Sequence, residues 1–258
     1  MLKVANDRDL EAILDFCDND LIGTRIACYC LCYGFERDFF TLWISSDQGM
    51  IKAVVAKFYD SVTVKAEKDC DFDEISQFIS MVGYSEIMCS EQCCRFFSFS
   101  DFETKKAYVF RGNVGEYTSE SLGEEYYKQL YSLISEAIPG SFSKNNEAYL
   151  SWLSDFSFRK RRGLARCKGL TQNGELLSCV MTSSETDSAA ILSGVACKST
   201  SRKTGMGKAT VLSAVNELMR ENKVSYVIAL NEAAQGFYEH IGFDEIYNIC
   251  LIKDKTER

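Results

Sequence analysis

The 258-residue chain has one histidine, His240, and one proline, Pro139. A Ser-His-Asp or Cys-His catalytic system would have to be built on that single imidazole. It stands in Phe237-Tyr238-Glu239-His240-Ile241-Gly242, at the end of a helix pattern, where a cation suits the helix dipole better than it suits catalysis. No apolar run approaches the ~20 residues a membrane-spanning helix needs, and Met1 to Arg8 lacks the apolar centre of a signal peptide. The expectation is a soluble, cytoplasmic protein with no membrane partner. Paired zinc spacing is also missing among the twelve cysteines: Cys28, Cys30 and Cys32 alternate, and Cys89 precedes Cys93-Cys94. Spread over a chain long enough to bury a proper core, they read as reduced thiols, and no metal site is expected.

What is present is a globular composition, 46% hydrophobic and 26% charged. The net charge of −8 argues against general nucleic-acid binding. It is unevenly placed: residues 1–117 hold 12 basic against 20 acidic side chains, whereas residues 118–258 hold 17 of each. The one basic run, Phe158-Arg159-Lys160-Arg161-Arg162-Gly163, has no aromatic platform beside it, so no nucleic-acid partner is expected. Salt bridging to the acidic half, or attraction of phosphates, is the expected use of these cations.

A glycine-rich stretch without apolar period, residues 111–123, reads as a linker between two domains, 1–117 and 118–258. In the second half, apolar spacing predicts helices over 124–138 and from a cap at Asn145 or Asn146 through Phe156. Strands follow at 164–171 and 176–183, joined by the hairpin signal Asn173-Gly174, and a third at 189–198. A helix over 207–222, a short strand at 225–230, a helix over 233–241 and a strand at 245–252 complete the order. The first half carries a weaker copy: helices at 7–17 and 21–32, strands at 40–45, 51–58 and 61–66, a helix at 71–81, and strands at 86–89 and 107–111. Two related α/β domains in tandem are expected.

The informative stretch is Val195-Ala196-Cys197-Lys198-Ser199-Thr200-Ser201-Arg202-Lys203-Thr204-Gly205-Met206-Gly207-Lys208. A buried strand runs into a loop with two glycines that opens directly into an amphipathic helix. Such a junction aims backbone N–H groups and the positive end of a helix dipole at one point, which suits phosphate. Arg202, Lys203 and Lys208 add positive charge. The pattern is neither a P-loop nor the dinucleotide fingerprint, since Gly-Lys-Ser/Thr and the third glycine are absent.

Arg202-x-x-Gly205-x-Gly207 between a strand and a helix resembles the acetyl-CoA pyrophosphate loop of the GNAT superfamily of N-acetyltransferases. Downstream, Asn231-Glu232-Ala233-Ala234-Gln235-Gly236-Phe237-Tyr238-Glu239-His240-Ile241-Gly242-Phe243 is similar to that family's Asn-x-x-Ala-x-x-x-Tyr-x-x-x-Gly-Phe signature. With the element order, the resemblance covers about residues 124–252. It implies tandem GNAT-like folds, each a central, mostly antiparallel sheet flanked by helices, with the C-terminal domain catalytic. It also implies roles. The backbone of Val195, Ala196 and Cys197 would pair with the pantetheine arm of acetyl-CoA, the acyl donor. Arg202, Lys203, Thr204, Gly205, Met206, Gly207 and Lys208 would hold the pyrophosphate. Asn231 would contact the cofactor arm. Tyr238 would protonate the leaving thiolate as an amine attacks the thioester directly.

Two departures qualify the match. Members of the family often place a carboxylate base on a central strand, and 189–198 contains none; Ser193, Glu185 and Asp187 stay open as alternatives, together with an amine that arrives deprotonated. In the first half the segment after the third strand reads Glu67-Lys68-Asp69-Cys70-Asp71-Phe72-Asp73-Glu74, acidic and without glycine, so that half is expected to be a degenerate copy without a cofactor loop. The expected activity is acetyl transfer from acetyl-CoA to a primary amine, on a small molecule or a peptide amino terminus. The alternatives are a non-catalytic acyl-CoA sensor and an aminoacyl transferase of the same fold.

Overall fold

The computed structural model describes residues 1–97 and 102–254. The first half runs β1 (Lys3–Val4), α1 (Leu10–Cys17), α2 (Leu21–Tyr33), β2 (Phe40–Asp47), β3 (Met50–Phe58), β4 (Ser61–Ala66), α3 (Phe72–Val82), β5 (Glu86–Ser90), α4 (Glu91–Cys94) and β6 (Glu103–Phe110). It continues with β7 (Glu120–Ser121), α5 (Tyr127–Ala137), α6 (Asn146–Arg161), β8 (Cys167–Gln172), β9 (Glu175–Glu185) and β10 (Ala189–Cys197). The last elements are α7 (Met206–Arg220), β11 (Val224–Ala229), α8 (Glu232–His240) and β12 (Phe243–Lys253).

Local chemistry sets many of these boundaries. Asp20, Asp71, Ser90 and Asn145 accept from the first-turn N–H groups of α2, α3, α4 and α6, each satisfying one of the donors that a helix start leaves without an internal partner. Asn173 and Gly174 both take positive φ (52° and 79°), the twist a two-residue hairpin needs between β8 and β9. Among the described residues, no helix is long and apolar enough to cross a membrane.

Chain contacts divide the molecule into two compact units. The first comprises 1–108, 228–236 and 245–258, and the second 109–227 and 237–244, so neither unit is one continuous half of the chain. In the first unit the strand order is β1-β2-β3-β4-β5-β12-β6. Its β1–β2, β2–β3, β3–β4 and β5–β12 ladders are antiparallel, and β4 to β5 is parallel. Val62, Val64, Ile87 and Ile252 on the strands pack with Ile75 and Ile79 of α3.

The second unit has the order β11-β10-β9-β8-β7, antiparallel except for the β10–β11 ladder. Alternation along β9 sorts its two faces. Cys179 and Met181 pack with Leu130, Leu133 and Ile134 of α5, while Ser178, one residue out of phase, accepts a hydrogen bond from Thr210 of α7 at 2.9 Å. Helices α5 and α7 therefore cover opposite faces, which is the mixed, largely antiparallel α/β architecture expected. Each buried aliphatic side chain in these layers contributes about 1.5–3 kcal/mol.

Three expectations are corrected. Residues 111–123 are not a free linker: β7 lies inside the stretch and pairs with β8, Glu120 opposite Gly169. Helix α6 runs on through the basic run to Arg161, so β8 begins at Cys167 and not at 164. There the cations are used within the unit: Arg159 pairs with Asp155 at 2.6 Å, Lys160 donates to the Leu122 carbonyl at 2.6 Å, and Arg162 lies over the Phe158 ring. Helix α4 was not predicted; it is a single turn capped by Ser90.

Candidate active site

The ladder between β10 and β11 covers Ala189–Leu192 against Val224–Val227. Beyond it, Ser193 and Ala196–Cys197 pair with β9, with a register shift between Ser193 and Ala196. Gly194 sits in that bulge at φ 55°, and a side chain there would collide with Ile134 of α5 and Met181 of β9. Among the described residues, the last stretch of β10 thus pairs on its β9 side, and no strand ladder continues beyond Leu192 on the other edge, where Val195, Ala196 and Cys197 lie. An extended ligand can add to such an edge as a further strand.

From Cys197 the chain enters a short 3-10 turn, Ser199–Ser201, secured by Cys197 Sγ to the Ser201 carbonyl and by Thr204 Oγ1 to the same oxygen at 2.7 Å. Lys203 and Gly205 both take left-handed backbone angles, φ 62° and 89°. Gly205 is the N-cap of α7 and supplies no side-chain oxygen. The first-turn N–H groups of α7, on Met206, Gly207 and Lys208, therefore begin a helix with no side chain closing it. Arg202 and Lys203 are exposed beside them, Arg202 Nε reaching back to the Cys197 carbonyl at 3.4 Å. This is a concentration of donors and positive charge suited to an anion. A cavity of about 360 Å3 adjoins the loop, lined by Cys197, Lys198, Thr200 and Arg202 with Leu133 and Glu136 of α5.

Gly207 lies close to α8: a Cβ added there would stand 3.9 Å from the Phe237 ring. Tyr238, the next residue, is buried against Phe237 and Phe243, with ring centroids 5.3 and 5.5 Å away. Burial pushes its phenol well above the usual tyrosine range, so it stays protonated at neutral pH. Gly242 after the helix has φ 102° and approaches Gly112 so closely that a Cβ would lie 3.0 Å from the Gly112 Cα. Its carbonyl accepts from the Arg111 and Gly112 N–H groups. Asn231 caps α8, its Oδ1 accepting from Ala234 N at 2.9 Å. His240 ends that helix, exposed, as its sequence position suggested.

Of the open candidates for a base, Glu185 is buried and held by Arg166 and by Lys223, the latter at 2.8 Å. Arg166 also reaches Glu217 and Glu221. Its guanidinium, with Lys223, draws the Glu221 carboxyl down to about 2. The network joins Arg166 just before β8, Glu185 at the end of β9, Glu217 on α7, and Glu221 and Lys223 just after α7, positions whose spacing along the chain gives no local signal. Asp187 is exposed and Ser193 half-buried. None of the twelve cysteines is in a disulfide, and no group of side chains among the described residues could hold a metal.

Comparison with known proteins bears on the fold. Residues 127–243 match the model of the acetyltransferase (GNAT) family. The fold is that of the GNAT superfamily. Its architecture extends in tandem across the chain. An acetyltransferase from the GNAT family of Colwellia psychrerythraea aligns at a TM-score of 0.63 and 12% identity over 99% of this chain and 100% of that one. A GCN5-related N-acetyltransferase from Sphaerobacter thermophilus aligns at 0.65 and 13%, covering 98% and 95%. A tandem GNAT protein from the clavulanic acid biosynthesis pathway aligns at 0.64 and 11%, covering 98% of each chain. No curated protein matches by sequence. At such low identity the shared property is the fold.

Proposed function

We propose that this GNAT-fold protein binds acetyl-CoA on its second unit and transfers the acetyl group to a primary amine, on a small molecule or a peptide amino terminus. The observation that carries the reading is the junction of an open β10 edge with an α7 start that no side chain caps. The pantetheine arm pairs with the backbone of Val195, Ala196 and Cys197. Pyrophosphate lies against Arg202, Lys203, Thr204, Gly205, Met206, Gly207 and Lys208.

In the reaction, the neutral amine attacks the thioester carbonyl, a backbone N–H stabilises the oxyanion, and Tyr238 gives its proton to the departing thiolate. Burial keeps the phenol protonated but makes it a weaker acid than a free tyrosine, so the assignment rests on the place of Tyr238 in the Asn231–Phe243 motif. Glu185 is assigned no part, since Arg166 and Lys223 occupy its carboxylate. Deprotonation of the amine is assigned to solvent. Log kcat/KM should therefore rise with unit slope as pH approaches the pKa of the amine, with no plateau in the carboxylate range. A plateau reached near pH 5–7 would reveal a protein base and overturn that assignment.

A second reading, a non-catalytic acyl-CoA sensor, is favoured by the same occupied carboxylate. Calorimetric titration with acetyl-CoA combined with a free-thiol assay over a panel of amines separates the two. Binding with thiol release supports transfer, binding without release on any amine supports the sensor, and no binding by folded protein contradicts both.

A further inference from the structure

Two buried hydroxyls of the second unit take no part in the contacts proposed for acetyl-CoA. Ser178 of β9 and Thr210 of α7 are each 0% exposed, and the Thr210 hydroxyl donates to Ser178 Oγ at 2.9 Å. Ser178 is the direct partner of Cys197 in the antiparallel β9–β10 ladder, and its hydroxyl is hydrogen-bonded to the Cys197 thiol. Cys197 Sγ in turn donates to the Ser201 carbonyl at 3.3 Å, an oxygen that also accepts from Thr204 Oγ1 at 2.7 Å. Each hydrogen has its own acceptor along this relay. Thr210 gives its one hydrogen to Ser178, Ser178 gives its own to the Cys197 sulfur, and Cys197 gives its own to the Ser201 carbonyl.

The relay joins the two ends of an exposed stretch. Residues 202–205 are exposed, Lys203 and Gly205 among them take left-handed backbone angles, and the helix that follows has no side-chain cap. Before this stretch Ser201 is buried at the end of the relay. After it Thr210 is buried one turn into α7, its hydroxyl also 2.9 Å from the Met206 carbonyl. Backbone donors hold an anion best when their directions are set before it arrives, because ordering a loose loop on binding costs affinity. A buried chain of hydrogen bonds that spans the loop supplies that order.

We propose that Ser178 and Thr210 are positioning residues for the pyrophosphate loop, holding residues 201–208 in their anion-binding geometry through the Cys197 thiol. The inference rests on the acetyl-CoA reading above. Neither hydroxyl touches the cofactor; both act through the Cys197 sulfur and the Ser201 carbonyl. Cys197 then contributes two separate groups, its backbone to the strand edge assigned to the pantetheine arm and its thiol to the relay, which gives the thiol a use without making it a nucleophile. Removal of the Ser178 hydroxyl breaks the relay without stranding Thr210, because the Met206 carbonyl remains within reach of the Thr210 hydroxyl.

The test compares the full-length wild type with Ser178→Ala, Thr210→Val, the double variant and Thr210→Ser, by calorimetric titration with acetyl-CoA and by amide hydrogen exchange of the free proteins. Ser178→Ala and Thr210→Val should each raise the Kd about fivefold, the worth of one net hydrogen bond, and the double variant should bind no more weakly than the weaker single one, because both changes break one relay. Thr210→Ser keeps the hydroxyl and should bind as the wild type does. In free Ser178→Ala, exchange should quicken at residues 198–205 and keep its wild-type rate at residues 189–193. Should Thr210→Val not fold, Ser178→Ala and Thr210→Ser decide. Exchange quickened equally over both stretches would mean that the hydroxyls serve stability alone, and losses that multiply in the double variant would mean two separate effects; either overturns the proposal. Wild-type binding that Ser178→Ala and Thr210→Val leave unchanged contradicts this inference alone, whereas no binding by folded wild-type protein contradicts the acetyl-CoA reading and this inference with it.

Discussion

Strand β4 leads through α3 to a parallel β5 in the first unit, and β10 leads through α7 to a parallel β11 in the second. Both ladders are short, three residue pairs in one and four in the other. At the start of α3, the Asp71 carboxylate accepts from Glu74 N at 2.9 Å, with Asp73 and Glu74 in the first turn. At the start of α7, left-handed Gly205 leaves the helix without a side-chain cap, and Arg202 and Lys203 stand beside it. One helix end supplies its own anion. The other has no side-chain cap and carries two exposed cations beside it. The same connection thus serves stability in the first unit and is suited to ligand in the second, and the residue at the N-cap marks the difference.

The strongest way to break that comparison acts on the chemistry of the second unit. Tyr238→Phe removes the proposed acid while keeping the ring, so turnover should fall by about a hundredfold to ten-thousandfold with the acetyl-CoA Kd unchanged; an unchanged rate would remove Tyr238 from the mechanism. Gly205→Asp copies the arrangement of Asp71 into α7. It forces a side chain onto φ 89° and sets a carboxylate at the helix start, and calorimetry should show acetyl-CoA binding weakened about 30-fold or more, about 2 kcal/mol.

Smaller effects sharpen the contrast. Arg202→Ala with Lys203→Ala should raise the Kd about threefold to tenfold at low salt and less at high salt, because both side chains are exposed and screened. Asp71→Ala should cost about 1 kcal/mol of stability, read as a lower Tm, with no change in acetyl-CoA affinity. A gain of binding in Asp71→Ala would mean that the cap alone conceals a second cofactor site.

What sequence could show followed from the range of the interaction. The Asn145 cap, the Asn173-Gly174 hairpin and the Gly205 junction are decided within a few residues, and each lies where the pattern indicated. The close approach of Gly112 to Gly242 explains a glycine in each of two stretches that local reading assigned to a linker and to a motif. Strand β7 escaped because two residues hold no periodicity, and only their pairing with β8 defines them. Glu185 was open as a base because its partners Arg166 and Lys223 lie far along the chain on either side. Cys250 was likewise separated from Cys89 until β12 paired with β5.

Amide hydrogen exchange of the wild-type protein with and without acetyl-CoA tests the central contrast most directly, because it reads both helix starts in one sample. Exchange should slow at residues 203–208 on addition of acetyl-CoA, with residues 71–75 unchanged. Equal protection at both helix starts, protection at 71–75 alone, or no change at either would contradict the assignment of an anion-receiving end to α7 and a self-capped end to α3.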